Sequence, residues 1–182
     1  TPLPLIEHCQ DKKGYELCKR LFDILFSIII LVITLPLSLM IAFAIRLNSP
    51  GPVIFLQQRI GLNRRCVNSL CKTFPERRNS HDLKGKSITI YKFRTMHMDV
   101  DPYCVKPRTL EDSRLTSVGK FLRVSCLDEL PQFINVLKGD MSIVGPRPEM
   151  PFIVESYGPL EAQRLLVKPG LTGLWQIYGT RK

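Results

Sequence analysis

Residues 24–45 read ILFSIIILVITLPLSLMIAFAI and contain no charged side chain. A helix of about 20 apolar residues is long enough to cross the hydrocarbon core of a bilayer. A helix that is apolar on every side is rarely found in a small globular core. The run is too long for a signal peptide and lacks a small-residue cleavage site. The segment therefore predicts a helix in a membrane.

Pro36 lies in the middle of this apolar run. Proline has no amide hydrogen, and its ring clashes with the preceding turn, so we expect the helix to break near Leu35. The hydroxyl of Thr34 can donate to a backbone carbonyl that the break frees. Thr34 and Pro36 are thus the predicted membrane break. An ordinary kinked transmembrane helix is the alternative, because such helices tolerate proline.

Basic side chains flank the run on both sides. They are Lys12, Lys13, Lys19 and Arg20 before it, and Arg46, Arg59, Arg64 and Arg65 after it. Positive flanks mark the cytoplasmic side of a membrane helix. Both ends are therefore expected on that side, which favours a re-entrant hairpin over a span. Asp23 is expected to pair locally with Arg20.

The charge of the whole chain limits the possible partners. The 182 residues include 26 Lys and Arg against 16 Asp and Glu, a formal net charge of +10. This positive charge predicts an anionic partner, which could be nucleic acid, an anionic bilayer or a phosphorylated small substrate. Nucleic acid ranks last, because the basic residues are dispersed and no known reader motif is present.

The six cysteines predict reduced thiols rather than disulfides, because no signal peptide and no CxxC pair is present. Cys66 and Cys71 are too scattered relative to His81 and His97 to indicate a zinc site.

The composition divides the chain into three parts. We assign an N-terminal flank to 1–18, the membrane hairpin to 19–48 and a catalytic domain to 49–182. Residues 57–86 are polar and basic and predict a loop, with 65–86 resembling an insertion.

The rest of the domain predicts a small mixed α/β fold. Strand candidates are 53–56, 87–96 and 141–144. Helix candidates run from Thr116 or Ser117 to about Ser125, from Pro131 to Gly139, and from 160 to 167.

Asp128 and Glu129 are the best candidates for chemistry. They precede Pro131 at a predicted helix start, where the dipole and free amides stabilise anions. Simple capping is the alternative, since acidic residues are common in first turns. Arg123 lies upstream and Asp140 downstream, so the acidic pair has charged neighbours on both sides.

Cations accompany the pair elsewhere in the sequence. Lys92 and Arg94 fall on one face of a predicted strand, where they could meet a diphosphate or form a solvated surface. Arg147 is held between Pro146 and Pro148 and suits bidentate binding of phosphate. Carboxylates among such cations predict a phosphate site bridged by Mg²⁺.

A carboxylate at position 128 can also be a nucleophile that forms an acyl phosphate. Cys126 is a rival nucleophile, but no histidine neighbours it in sequence. Trp175, with Gln176, either stacks on a base or sugar or packs in the core.

Several motifs occur together and in order. They are Lys19-Arg20-Leu21-Phe22-Asp23, Tyr91-Lys92-Phe93-Arg94-Thr95-Met96, Leu127-Asp128-Glu129-Leu130-Pro131-Gln132, Asn135-Val136-Leu137-Lys138-Gly139-Asp140-Met141-Ser142, Val144-Gly145-Pro146-Arg147-Pro148-Glu149 and Lys168-Pro169-Gly170-Leu171-Thr172-Gly173. With them the chain resembles the bacterial sugar transferase family, the monotopic phosphoglycosyl transferases, over roughly Lys19 to Gly179.

The resemblance implies a re-entrant membrane helix broken at a proline that matches Pro36. It implies a small α/β catalytic domain on the cytoplasmic face of the bacterial inner membrane, and a need for Mg²⁺. In the implied reaction Asp128 attacks the β-phosphate of a UDP-sugar and UMP leaves. Undecaprenyl phosphate then takes the phosphosugar, which starts assembly of a surface polysaccharide or glycoconjugate. Glu129 assists metal binding or activates the acceptor.

By similarity, Asp128 and Glu129 are the metal ligands. Phosphates are held by Lys92, Arg94, Arg123 and Arg147. Supporting roles fall to Asp140, Pro146, Pro148 and Gln176. The expected partners are a UDP-sugar, undecaprenyl phosphate and an anionic bilayer, without nucleic acid. A homo-oligomer and the identity of the sugar are left open.

Three departures from the family pattern stand out. Leu35 takes a place where serine is common, residues 65–86 look inserted, and Thr180 interrupts the usual continuation. The ends of the chain predict a piece of a longer protein that lacks a C-terminal segment. The alternative function is a non-catalytic basic module that anchors to membranes.

Overall fold

The computed structural model describes residues 12–63, 85–104, 107 and 109–173. The helices and strands follow in chain order. They are α1 (Lys12–Ile33), α2 (Leu35–Asn48), β1 (Ile54–Ile60), β2 (Ser87–Phe93), α3 (Ser117–Ser125), a 3-10 helix (Leu127–Gln132), α4 (Phe133–Lys138), β3 (Ser142–Val144), α5 (Pro151–Glu155), α6 (Pro159–Ala162), a second 3-10 helix (Gln163–Leu166) and β4 (Gly170–Thr172). The predicted mixed α/β class is confirmed. The predicted loop at 65–86 falls almost wholly outside the described residues.

The apolar run forms two helices with a break at Thr34, as predicted. α1 and α2 are bent by 60° relative to one another. The Thr34 hydroxyl donates to the carbonyl of Ile30 at 2.7 Å, and that carbonyl also accepts from the Thr34 amide. No single helix among the described residues is long and apolar enough to cross a bilayer, although the bent pair passes that test by length and composition.

Apolar side chains around the bend remain exposed. Val32, Ile33, Leu35, Leu39 and Met40 each expose more than half of their surface. Soluble monomers rarely expose a contiguous apolar patch of this kind. The bend therefore carries an apolar surface that the described part of the fold leaves uncovered.

The first half of α1 is bonded to the rest of the fold. Arg20 donates to the carbonyls of Val136 and Leu137 at the end of α4, at 2.6 and 2.7 Å. Asp23 is buried and accepts from the amide of Ile143 at 3.1 Å. The predicted pairing of Asp23 with Arg20 is wrong: Asp23 lies 3.7 Å from Lys19, because the free carbonyls at a helix C-terminus take the Arg20 guanidinium.

The end of α2 is attached to the same domain. Ile41 and Ile45 form a buried cluster with Phe93 of β2 and Leu122 of α3. Leu127 and Leu130, on the first 3-10 helix, pack against this cluster. Both limbs of the bent helix pair are therefore fixed to one α/β unit.

Strands β1 and β2 pair antiparallel, from Ile54 opposite Phe93 to Ile60 opposite Ser87. β3 and β4 pair in parallel. The predicted loop at 57–60 is wrong, because these residues continue β1. Their polar composition is misleading, since Gln57 and Arg59 point inward and are 6% and 4% exposed.

The predicted helices near the acidic pair are largely confirmed. The hydroxyl of Thr116 accepts from the Gly119 amide and begins α3. Gly139 ends α4 with φ of 82°. Cys126 separates α3 from the first 3-10 helix with φ of 57°, in the left-handed region that non-glycine residues rarely adopt. The predicted helix at 160–167 is divided between α6 and the second 3-10 helix.

Asn135 joins α4 to backbone groups of β2. Its side-chain oxygen accepts from the Tyr91 amide at 3.1 Å, and its side-chain nitrogen donates to the Thr89 carbonyl at 2.6 Å. The side chain is fully buried. It thus satisfies two backbone groups that β1 does not reach.

We expect Asn135→Leu to lower the free energy of unfolding by about 2–5 kcal/mol, because two buried backbone groups lose their partners. In a thermal unfolding scan this is a fall in Tm of roughly 5–15 °C. Gln58→Leu is the matched control, since that amide also makes two hydrogen bonds to β2, but exposed ones. An equal loss in both variants would contradict the account of Asn135.

Candidate active site

Asp128 and Glu129 lie at the start of the first 3-10 helix, beside β2. The Lys92 ammonium is 2.7 Å from Glu129 Oε1 and 3.9 Å from Asp128 Oδ2. The side chains of Asp128 and Lys92 are only 14% and 15% exposed. The leucines on either side of the pair are held in the cluster with α2, and this attachment places both carboxylates against Lys92.

The two carboxylates have different electrostatic environments. Burial raises the pKa of Asp128, and the opposing charges of Lys92 and Arg123 do not fully offset it. Burial also acts to raise the pKa of Glu129, but Lys92 and Arg147 outweigh it and hold that pKa below its ordinary value. Glu129 is thus the firmly ionised partner. Unequal pairs of this kind divide roles in many active sites.

Arg123 flanks Asp128 from the end of α3. Its Nε donates to the hydroxyl of Thr95 at 3.0 Å. Burial lowers the pKa of Arg123, while the negative charge of Asp128 acts to raise it. Arg123 is therefore held by a neutral partner beside Asp128.

Arg147 contacts the other carboxylate of the pair. Its Nη2 lies 3.4 Å from Glu129 Oε1. Backbone bonds fix its turn: Gly145 donates to Thr172, and Gly170 donates to Pro146, each at 2.9 Å. A Cβ on Gly170 would lie 2.1 Å from the Gly145 nitrogen, so this close approach requires glycine. Pro148 is buried next to Arg147.

The structure does not bring every predicted residue to this site. The Arg94 guanidinium is 4% exposed and donates to the carbonyls of Pro50 and Ser49 at 2.6 and 2.7 Å. The prediction that Arg94 binds phosphate is therefore not supported by its contacts, which hold the end of α2 instead. β2 ends at Phe93, so Arg94 has already left the strand that carries Lys92.

Asp140 is also remote from the acidic pair. Its carboxylate lies 2.8 Å from Lys86, at the other end of β2 from Lys92. A strand rises about 3.3 Å per residue, which separates these ends by roughly 20 Å. Gln176 and Trp175 lie outside the described residues. The Cys126 thiol is directed back to the carbonyl of Arg123, at 3.9 Å.

Two residues of the site region are not among the predicted site residues. Arg59 lines a cavity together with Lys92, Glu129 and Arg147. Gln132 is buried and lines the same cavity. The alternation of β1 would have placed Arg59 inward, had residues 57–60 been interpreted as strand.

The acidic pair supplies carboxylate oxygens, which are the ligand type that Mg²⁺ takes in proteins. Within the described ranges, no group of three or more His, Cys, Asp or Glu side chains is arranged to hold a metal. Mg²⁺ commonly uses only one or two carboxylates, with water and substrate phosphates completing its shell. Asp128 and Glu129 already converge on one cation, the Lys92 ammonium, so their oxygens fit such an ion.

The fold and site define a class: an α/β domain on a bent apolar helix pair, with an acidic pair among cations that suit phosphate. The sequence model of the family described as "Bacterial sugar transferase" matches residues 14–182. The chain belongs to that family.

Curated relatives in this family carry specific names. The chain is 44% identical over 169 residues to the UDP-glucose:undecaprenyl-phosphate glucose-1-phosphate transferase of Escherichia coli (strain K12), covering 91% of this chain and 32% of the relative. It is 39% identical to a protein of the same name from Caulobacter vibrioides, covering 99% and 58%.

A third relative is named for another sugar. It is the UDP-N-acetylgalactosamine-undecaprenyl-phosphate N-acetylgalactosaminephosphotransferase of Aeromonas hydrophila, 39% identical, covering 90% of this chain and 34% of the relative. The chain thus spans between a third and three-fifths of the length of these relatives.

Proposed function

We propose that this chain transfers a sugar 1-phosphate from a UDP-sugar to undecaprenyl phosphate and releases UMP, the first step in assembling a surface polysaccharide or glycoconjugate. One observation carries the proposal. Leu127 and Leu130, on either side of the acidic pair, pack against the buried face of α2. A water-soluble donor and a lipid-bound acceptor would both reach carboxylates at this junction. The names of the relatives support the same substrates.

Asp128 is the proposed nucleophile. Its carboxylate oxygen attacks the β-phosphorus of the donor, the bond from that phosphorus to the bridging oxygen breaks, and UMP leaves with the electron pair. An oxygen of undecaprenyl phosphate then attacks the same phosphorus and releases the Asp128 carboxylate. A partly buried carboxylate whose pKa is raised is weakly solvated, which favours its attack when it is ionised.

The surrounding cations would stabilise the charge that develops on the phosphoryl oxygens. Lys92 and Arg123 flank Asp128, and Arg147 contacts Glu129. Asp128 and Glu129 would hold Mg²⁺, which supplies Lewis-acid neutralisation of phosphate charge when bound. In this scheme Glu129 stays ionised as a metal ligand, in keeping with its lowered pKa.

The bent helix pair is proposed to enter and leave the bilayer on the cytoplasmic face of the bacterial inner membrane. The contacts of Arg20 and Asp23 in α1, and of Ile41 and Ile45 in α2, tie both limbs to the same domain. A helix that crossed the bilayer would separate its two ends, which these contacts oppose.

Cysteine labelling in sealed vesicles tests this topology. In a background without native cysteines, Glu16→Cys and Glu155→Cys should react with an impermeant reagent from the same side. Labelling of the two positions from opposite sides would contradict a re-entrant hairpin.

The activity is tested with the full chain in lipid nanodiscs that contain undecaprenyl phosphate. A panel of UDP-sugars is supplied with Mg²⁺, and UMP release is measured with and without the acceptor. We expect sustained release for at least one donor, dependent on acceptor and abolished by chelation. Binding to anionic lipid without UMP release from any donor would favour the membrane-anchoring module instead.

A further inference from the structure

Arg59 is a buried cation without an ionic partner among the described residues. It is 4% exposed, and its Nε and Nη2 donate to the neutral side-chain oxygen of Gln57 at 3.2 and 2.6 Å. Gln57 is itself fixed through its donation to the Pro102 carbonyl at 2.6 Å. A buried charge is costly unless an opposite charge compensates it. In the described part of the fold, the Arg59 guanidinium therefore has a neutral hydrogen-bond partner and no ion pair.

The surroundings of Arg59 increase this positive charge. Arg59 and Arg147 line one cavity with Lys92 and Glu129. Burial lowers the pKa of Arg59, the charge of Arg147 lowers it further, and Glu149 and Glu129 oppose this only in part. Glu149 is engaged by Arg164 at 3.3 Å, and Glu129 by Lys92 at 2.7 Å. The cavity thus has more positive than negative charge beside the acidic pair.

The cations that line the cavity differ in how they contact the acidic pair. Lys92 contacts both carboxylates, Arg147 contacts Glu129 alone, and Arg59 makes no ion pair with either carboxylate but is affected by the charge of Arg147. Of the three cations, Arg59 therefore has the least direct contact with the acidic pair. Two phosphates in a row would place one at Asp128 and Lys92 and the next at Arg147 and Arg59.

We infer that Arg59, together with Arg147, binds the donor phosphate that leaves with the nucleotide, so that a nucleoside diphosphate lies with its transferred phosphate at Asp128. The inference rests on the proposed function and adds recognition of the leaving group. A guanidinium held on one side by Gln57 still has donors for the phosphate, and charge-assisted hydrogen bonds of this kind are strong.

Binding of UDP, UMP and uridine to the full chain in nanodiscs tests the inference. Arg59→Met should weaken UDP and UMP about 10–100-fold, the loss of one charge-assisted contact, and leave uridine unchanged. Arg59→Lys keeps the positive charge but loses the planar guanidinium with its paired donors. This variant should recover part of the affinity for UDP and UMP. Lys86→Met is the control for the loss of one positive charge, because Lys86 pairs with Asp140 far from the cavity.

Stability separates binding from a structural role. When a buried charged side chain is replaced by an apolar one of similar size, the stability of the folded protein is often unchanged or increased. We therefore expect Arg59→Met to keep or raise the Tm of the ligand-free chain while it loses UDP binding. A lowered Tm with unchanged UDP affinity would overturn the inference, as would wild-type UDP affinity in both Arg59 variants.

Kinetics distinguish the two sources of phosphate. The KM for the UDP-sugar should rise in Arg59→Met, with the KM for undecaprenyl phosphate unchanged. If only the KM for undecaprenyl phosphate rose, Arg59 would not bind the donor phosphate, and the inference would be overturned. If the wild-type chain turns over and only the Arg59 result fails, the proposed function stands. If the wild-type chain neither binds UDP nor releases UMP, the proposed function itself fails.

Discussion

Asp128→Asn is expected to reduce UMP release by about 10⁴-fold or more, because an amide oxygen cannot form and release the acyl phosphate. The change preserves the size of the side chain. The Tm should change little or rise, since burial already disfavours the charge at this position and raises the pKa of Asp128. UMP release with a saturating UDP-sugar is the measurement.

Asp140→Asn is the matched control. It removes the same charge, but from a carboxylate that pairs with Lys86 at the far end of β2. We expect the release rate of this variant to remain within a few-fold of wild type. If Asp128→Asn kept comparable turnover, position 128 would not be the nucleophile, and the acidic pair would serve only to bind metal or begin a helix.

Lys92→Met is expected to lower the rate by about 10²–10³-fold at neutral pH, since one preorganised cation at the reacting phosphate is lost. It should also change the pH profile. Lys92 lowers the pKa of Asp128, so its removal raises that pKa further above the ordinary value. The nucleophile is active when ionised, and the decline in activity on acidification should therefore begin at higher pH in the variant.

A profile of the release rate against pH measures this displacement, and the two carboxylates are treated as a coupled pair with macroscopic pKa values. Lys86→Met should leave the acidic limb where it lies in the wild type. If the acidic limb of the Lys92→Met profile stayed at the wild-type pH or moved to lower pH, the proposed effect of Lys92 on the pKa of Asp128 would be contradicted.

The sequence predicted those parts of the fold that depend on local chemistry. Pro36 identified the helix break, Thr116 the start of α3, and Gly139 the end of α4. Each feature is set by one residue's backbone preference or hydrogen-bonding capacity, which a local pattern reveals. The acidic pair and Arg147 were recognised in the same way, and the structure brings Arg147 to Glu129.

Features set by tertiary packing were not predictable. Arg94 shares a period-two pattern with Lys92, yet the strand ends between them and Arg94 bonds to the chain leaving α2. Arg59 and Gln57 looked like loop residues because buried polar side chains resemble exposed ones in composition. Arg20 does not pair with Asp23, its neighbour in sequence. It donates instead to carbonyls of α4, which lie more than a hundred residues away in the chain.

In the proposed reaction the sugar phosphate is carried covalently on Asp128. Intact mass spectrometry of the chain after incubation with a UDP-sugar and Mg²⁺, without any acceptor, tests it most directly. We predict one equivalent of UMP and a mass increase equal to one sugar phosphate, located on the peptide that contains Asp128 and removed by adding undecaprenyl phosphate. An unmodified mass, with UMP appearing only when donor and acceptor are present together, would contradict it.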